Sequence, residues 1–269
     1  MKNIVFSLLK ILIISLFAIT PSFNTLSAED NILRIGYSDS EAFPFQIRED
    51  NNPPGIAFEI ISEAAKQSGV KIKYVRLPNR RVQLSLREGE SIDGAFMFSY
   101  SEERKINGVY PSINSKPDGK RRIATLSYYI YRKKGSSINW DGEKFSGMGP
   151  SDSGVKIGAN SGYSVVNDLI KKGVSVDDGS KNTGQNFLKL QTGRIAAFAH
   201  QDLVADNYLS TEGITGIEKL PKPFIQKDYF LMFSHQYYAK NRRTAEKLWN
   251  KIGEIRDKKT ASIASKYRE

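Results

Sequence analysis

The stretch that most restricts the fold is a strand that has to be covered on both faces. Gly94-Ala95-Phe96-Met97-Phe98 carries no charge, and such a run belongs inside a parallel sheet. It then breaks into Ser99-Tyr100-Ser101 and ends on Glu102-Glu103-Arg104. Ligands of open α/β sheets bind just beyond the carboxyl ends of the strands. Arg104 falls at such a place, and its guanidinium offers a rigid fork of donors suited to a carboxylate. A surface pairing of Arg104 with Glu102 or Glu103 is the competing reading, and it would add little stability. On the residues alone both stand.

The chain around this strand alternates strand and helix. Ile32 to Tyr37 reads as a first strand, followed by a loop through Asp39, Phe43, Pro44 and Phe45. Asn52-Pro53-Pro54-Gly55 punctuates, and Ala57, Ile60, Ile61, Ala64 and Ala65 then recur at helical spacing up to Gly69. Lys71 to Leu77 alternates as a strand that Pro78 stops, and a basic helix runs from about Arg80 to Arg87, closed by Gly89. This pitch calls for right-handed crossovers and a parallel sheet. After an irregular polar stretch, Ile123 to Tyr131 is a long extended run, a candidate for a chain passing between lobes. Lys134 to Ser137 and Gly147-Met148-Gly149-Pro150 are loop material.

A second α/β series comes next. Val155 to Ala159 reads as a strand, Ser161 opens a helix to about Lys172, and a short strand lies near Val174. A helix from Thr183 to Thr192, a buried strand from Ile195 to Ala199 and a helix beginning at Gln201-Asp202 complete it. Asp228 to Ser234 returns the chain. The last thirty or so residues read as two helices with Leu248, Ile252 and Ile255 on one face.

Residues 1–28 read as a cleaved targeting segment: Lys2 and Lys10 are basic, Ile11 to Ile19 is almost wholly apolar, and Pro21 comes after it. Cleavage after Ala28 or after Ser27 both fit, and a retained N-terminal anchor is the alternative. The apolar run is short for a membrane span. With 0 cysteines the chain has no disulfide, thiol nucleophile or Cys-ligated metal. An exported, periplasmic protein is the expectation. The formal charge is +11, of which Lys2 and Lys10 belong to the leader. That field favours anionic partners. Nucleic acid is not among the expected ones, because the basic residues are dispersed as pairs such as Arg80-Arg81 and Arg121-Arg122, which read as solvated surface.

Catalytic patterns are thin. His200 and His235 are the 2 histidines, and neither has metal-ligand spacing. Gly162-Tyr163-Ser164 runs into Val165-Val166, so the hydrolase nucleophile turn is incomplete. Gly147-Met148-Gly149 lacks the third glycine of a dinucleotide site, and no phosphate loop occurs. No cofactor is expected.

The layout resembles the type II periplasmic solute-binding proteins, specifically the polar amino-acid-binding family of ABC transporter components. The residues that carry the resemblance are Leu33-Arg34-Ile35-Gly36 with Pro44-Phe45, then Gly55, and Gly89 with Ile92-Asp93-Gly94. Ser101-Glu102-Glu103-Arg104-Lys105, Val155-Lys156-Ile157-Gly158 with Ser161-Gly162, and Gly193-Arg194-Ile195 continue it. A less-characterised branch with Pro-x-x-Arg, here Pro78 to Arg81, and Gly-Tyr-Ser, here Gly162 to Ser164, matches best.

The resemblance implies an α/β fold of two lobes, each a mostly parallel sheet flanked by helices, joined by two hinge crossings. Lobe one would comprise 29–123 plus 229–269 and lobe two 124–228. Arg104 would take a ligand carboxylate, with Ser99 beside it. The helix start at Ser161-Gly162-Tyr163 would add backbone N–H groups to the same anion, as helix N-termini do. Asp39, Phe43 and Phe45 would line lobe one, and Arg81 would add a second cation. One departure matters: the family's acid that grips an α-amino group falls at Gln201, with Asp202 one residue later, and Ala196 replaces a turn aspartate. The implied partners are a small anionic or zwitterionic solute and an ABC permease, served by a monomer. An enzyme on this scaffold acting on a small carboxylate, and a sensory binding protein without transport, remain as alternatives.

Overall fold

The computed structural model describes residues 32–47, 54–148 and 154–267. The leader, Asn52-Pro53 and Gly149-Pro150 lie outside the described residues. None of the described helices is long and apolar enough to cross a membrane.

Three strands form one end of the sheet: β1 (Ile32–Ser38), β2 (Lys71–Leu77) and β3 (Gly94–Ser99). They run parallel in the order β2-β1-β3, as the crossover rule requires. Helix α1 (Ile56–Ser68) buries Ala57, Ile60, Ile61, Ala64 and Ala65, the stripe its spacing selects, and Gly69 closes it in the left-handed conformation. Its start needs glycine. At Gly55 (φ +126°) an added Cβ would lie 2.4 Å from the Phe45 carbonyl oxygen. Helix α2 (Asn79–Glu88) starts after Pro78 and ends at Gly89 in the same left-handed manner.

The other end of the sheet is built from β5 (Ile157–Asn160), β6 (Val176–Ser180) and β7 (Ala197–Gln201), with α3 (Val165–Lys171), α4 (Thr183–Gln191) and α5 (Asp202–Thr211) between and after them. Strand β4 (Ala124–Lys133) and strand β9 (Ile225–Phe233) occupy the middle, and β8 (Ile217–Lys219) pairs on β4. The order is β6-β5-β7-β4-β9-β3-β1-β2, one continuous sheet. Strands β4 and β9 are antiparallel to each other, Tyr128 opposite Ile225 through Ala124 opposite Tyr229. Several elements of the second series begin later than their apolar onset suggests. Val155 precedes β5 as approach rather than ladder. The strand expected near Val174 is Val176–Ser180; Asp177, Asp178 and Gly179 disguise it, and parallel pairing with β5 overrides their poor propensity.

The C-terminal run α6 (His235–Ala264) is two helices that meet at a kink, where Asn241 has non-helical dihedrals. Leu248, Trp249, Ile252 and Ile255 are buried, and the Trp249 indole donates to the Leu231 carbonyl at 2.7 Å. The run lies against α1, with an ion pair from Lys259 to Glu63, and the 3-10 turn Ser265–Tyr267 after it adds one from Lys266 to Glu59.

Candidate functional site

A bulge prepares the site. Opposite β9, Phe96 pairs with Leu231 and Phe98 with Phe230, so Met97 is the extra residue, at φ 60°. That conformation is costly for a side chain of this kind, and bulges of this sort re-aim the residues beyond them. Here it turns Ser99 and the 3-10 turn Glu103–Ile106 toward a cavity at the carboxyl ends of β1 and β3.

Arg104 sits on that turn and is 9% exposed. Its Nη1 donates to the Ser99 carbonyl (3.0 Å) and Oγ (2.9 Å), and its Nη2 donates to the Gly162 carbonyl at 2.9 Å. Tyr110 also donates to the Ser99 carbonyl, at 2.8 Å, which fixes the turn from behind. Among the described residues no carboxylate forms an ion pair with Arg104.

The opposite wall is carried by β7 and the start of α3. Ser164 Oγ lies 2.8 Å from Ser99 Oγ and accepts from Lys227 Nζ at 2.7 Å. Lys227 in β9 also pairs with Asp168. Burial pushes the lysine down from its ordinary range, against the pull of Asp168. Gln201, at the end of β7, is 4% exposed; its Nε2 donates to the Tyr229 hydroxyl (2.7 Å) and the Tyr128 hydroxyl (3.3 Å). The two tyrosine hydroxyls are 2.7 Å apart. Desolvation raises both above the usual phenol range and pushes Tyr163 up to about 12, so all three remain protonated near neutral pH.

The cavity is about 40 Å³ counted for the centre of a water molecule, and Arg104, Tyr163 and Ser164 also line an adjoining open cleft of about 440 Å³. Phe96, Met97, Phe98 and Tyr163 supply the cavity's apolar faces; Ser38, Ser40, Gln46 and Asn79 close it from β1 and α2. Gln46 folds its own loop, donating to the Ser38 carbonyl (2.6 Å) and the Ser40 carbonyl (2.7 Å). Arg104 is the one charged residue among the described ones that line the cavity.

No family model matches the chain, and no curated protein matches it. Solved structures do. The GluR0 ligand-binding core from Nostoc punctiforme in complex with (L)-glutamate superposes with a TM-score of 0.66 at 16% identity, over 87% of this chain and 98% of its own. The substrate binding protein of an amino acid ABC transporter gives 0.64 at 17% identity, over 88% of this chain and 98% of its own. An ancestral amino acid-binding protein described as a precursor of cyclohexadienyl dehydratase gives 0.64 at 17%, over 88% and 96%. This chain has the two-lobed fold of the type II periplasmic binding proteins.

The placement of the sequence-derived residues within this binding-protein fold is uneven. Ser99, Arg104, Tyr163 and Gln201 line the cavity together. Asp39 and Phe43 lie apart, in a wider outer cleft of about 530 Å³, where Asp39 pairs with Lys181 at 2.7 Å. Phe45 is core, because its loop turns it in beneath α1 while Gln46 takes the cavity side. Arg81 is on the exposed face of α2. Its neighbour Arg80 reaches across instead, donating to Ser161 Oγ at 2.9 Å and approaching Asp178 at 3.8 Å.

The helix start is also displaced. Helix α3 begins at Val165, the Ser161 N–H donates to the Ser180 carbonyl and the Tyr163 N–H donates to the Asn160 carbonyl. Those two donors are spent within the chain, and Gly162 meets Arg104 with its carbonyl oxygen, which accepts from Nη2. Asp202 is outside the cavity, its carboxylate accepting from the Leu203 N–H at 2.9 Å. Sequence reasoning missed Tyr128, Tyr229, Ser164 and Lys227. Alternation along β4 and β9 placed the tyrosines in strands. Nothing in the sequence marks a lone lysine in β9 as the partner of a serine 63 positions away. Among the described residues no cluster of three or more metal-ligating side chains occurs.

Proposed function

We propose that this protein captures a small carboxylate-bearing solute, an amino acid or related organic acid, between two lobes and delivers it to an ABC-type permease from outside the cytoplasm. The observation that carries the reading is Arg104: a guanidinium nine-tenths buried, held by carbonyls and a hydroxyl only, facing an enclosed cavity. A buried charge without a counter-charge is costly, and an anion entering the cavity supplies one. The similarity to amino-acid-binding structures supports the same scaffold use.

The lobes on this reading are 29–123 plus 229–269 and 124–228, hinged near Ala124–Ser127 and Ile225–Asp228, and closure moves them as rigid bodies about those few residues. The protein acts as a monomer, exported by its leader. Calorimetry of the purified protein against amino acids and small organic acids tests the reading: at least one carboxylate binds, with compaction in small-angle scattering. A panel with no binder, or binding unaffected by Arg104→Ala, overturns it. The dehydratase-precursor neighbour favours a second reading, an enzyme on the same scaffold, and chemical change of the bound solute would select it.

A further inference from the structure

The chemistry opposite Arg104 narrows the solute. We infer that it is a monoanion: a carboxylate bearing a neutral donor, a hydroxyl or an amide N–H, where an α-amino acid bears an ammonium. This rests on the carboxylate reading of the cavity and adds a charge class to it.

Charge is the first argument. The described lining of the cavity carries Arg104 and no carboxylate, so its formal charge is +1. A carboxylate bound at Arg104 brings that to zero. A zwitterion leaves the sum at +1 and buries its ammonium beside tyrosines, serines and amides, none of them ionised. An ammonium desolvated without a counter-charge is disfavoured more strongly than a hydroxyl that finds one acceptor.

Position is the second. An α-substituent stands on the carbon next to the carboxylate, so with the carboxylate inside the cavity it meets the lining that Ser99, Tyr229 and Gln201 provide. The acids nearby are engaged outside the lining: Asp202 accepts from Leu203, Asp168 pairs with Lys227, and Asp39 pairs through Oδ2 with Lys181 in the outer cleft, its Oδ1 being buried without a partner among the described residues. None reaches the lining.

The third argument is an orphan acceptor. Gln201 is 4% exposed, its Nε2 is committed to the two tyrosine hydroxyls, and its Oε1 is buried without a partner among the described residues. An unsatisfied buried carbonyl oxygen costs the desolvation it has suffered. A ligand O–H or amide N–H satisfies it without importing charge. Ser99 and Tyr229 link Arg104 to Gln201 by hydrogen bonds, and both of those residues line the same cavity.

Matched pairs test this. Calorimetry of the purified protein is run with L-lactate against L-alanine, L-phenyllactate against L-phenylalanine, and N-acetyl-L-alanine. The hydroxy or acylated acid should bind at least tenfold more tightly than its amino acid, about 1.4 kcal/mol. Equal or tighter binding of the amino acids overturns the inference and leaves the carboxylate reading intact. No binding by any member overturns both. In Gln201→Glu the ratio should fall by tenfold or invert, because the ammonium then meets a carboxylate. An unchanged ratio in a variant of wild-type melting temperature overturns the role of Gln201. Should that variant fail to fold, the matched pairs on the wild-type protein decide alone.

Discussion

Arg104 and Gly162 are 58 positions apart in the chain, and the arginine Nη2 donates to the glycine carbonyl at 2.9 Å. The bond spans the cavity from the turn after β3 to the approach of α3. It assigns one of the guanidinium's hydrogens to the opposite wall, while Nη1 bonds to Ser99 and holds the side chain in place. Arg104 is therefore a tie between walls as well as the charge that the proposed carboxylate would meet.

Removing it separates the two roles. Arg104→Ala should weaken carboxylate binding by roughly 2–5 kcal/mol, taking a micromolar binder to a Kd between about 30 μM and a few millimolar. The fold should suffer less, because Tyr110 still donates to the Ser99 carbonyl. Calorimetry beside a thermal melt reads both; wild-type affinity in the variant would remove the arginine from the site.

A buried histidine sets acid sensitivity. His200 is 0% exposed, stacks on Phe198 at 4.9 Å between ring centroids, and burial pushes it down to about 3 from 6.5. The unfolded chain binds the proton first as pH falls, so stability present above 6.5 is lost progressively below it. Between pH 7 and pH 5 that amounts to about 2 kcal/mol. Urea unfolding at both pH values should show this loss in the wild type and a smaller one in His200→Gln. Equal losses in the two proteins would exclude the histidine as the cause.

At Gly253 the usual rule for helices reverses. Gly→Ala inside a helix ordinarily gains about 1 kcal/mol. Here the added Cβ would lie 2.4 Å from the Lys120 carbonyl oxygen, backbone that cannot swing aside. Helix α6 would be pushed off the turn Gly119–Arg121, where Arg121 pairs with Glu246 at 2.6 Å. Gly253→Ala should therefore destabilise by about 1–3 kcal/mol, read as a lower melting temperature; a raised one would contradict the contact.

The outer cleft should matter little. Lys181 and Asp39 pair at 2.7 Å across it with side-chain exposures of 57% and 28%. Pairs so exposed are worth about 0–1 kcal/mol and fade with salt. Lys181→Ala should change ligand affinity by less than about fivefold at physiological salt, and less again at high salt. A loss of roughly a hundredfold would place ligand in the outer cleft.

The strands and helices around β3 were legible because each obeys its own period. The stripe Ala57, Ile60, Ile61, Ala64 and Ala65 is buried as a set, and Lys71–Leu77 matches its strand end to end. Arg104 and Gln201 were legible as candidates because position after a strand is a property of the chain. The other wall was not. Whether Arg80 or Arg81 reaches Ser161 depends on the rotation of α2, a phase that one residue's error turns by about 100°. Where α3 starts depends on Ser161 being drawn into a bond with Ser180, a tertiary contact with β6. The pairing of Lys227 with Ser164 and Asp168 depends on how β9 lies against α3, which no local pattern encodes.

Strands β4 and β9 pair with each other, Tyr128 facing Ile225. Residues that face each other on antiparallel strands have Cα atoms about 5 Å apart, a gap that a two-residue turn can close. The whole stretch from Tyr129 to Phe224 thus leaves and re-enters the chain through one doorway, like a cassette held by a single clip. Arg104 is outside that cassette; Tyr163, Ser164 and Gln201 are inside it. Exchanging the cassette would keep Arg104, Tyr128, Tyr229 and Lys227 and replace Tyr163, Ser164 and Gln201 together, so that part of the lining changes by one contiguous replacement.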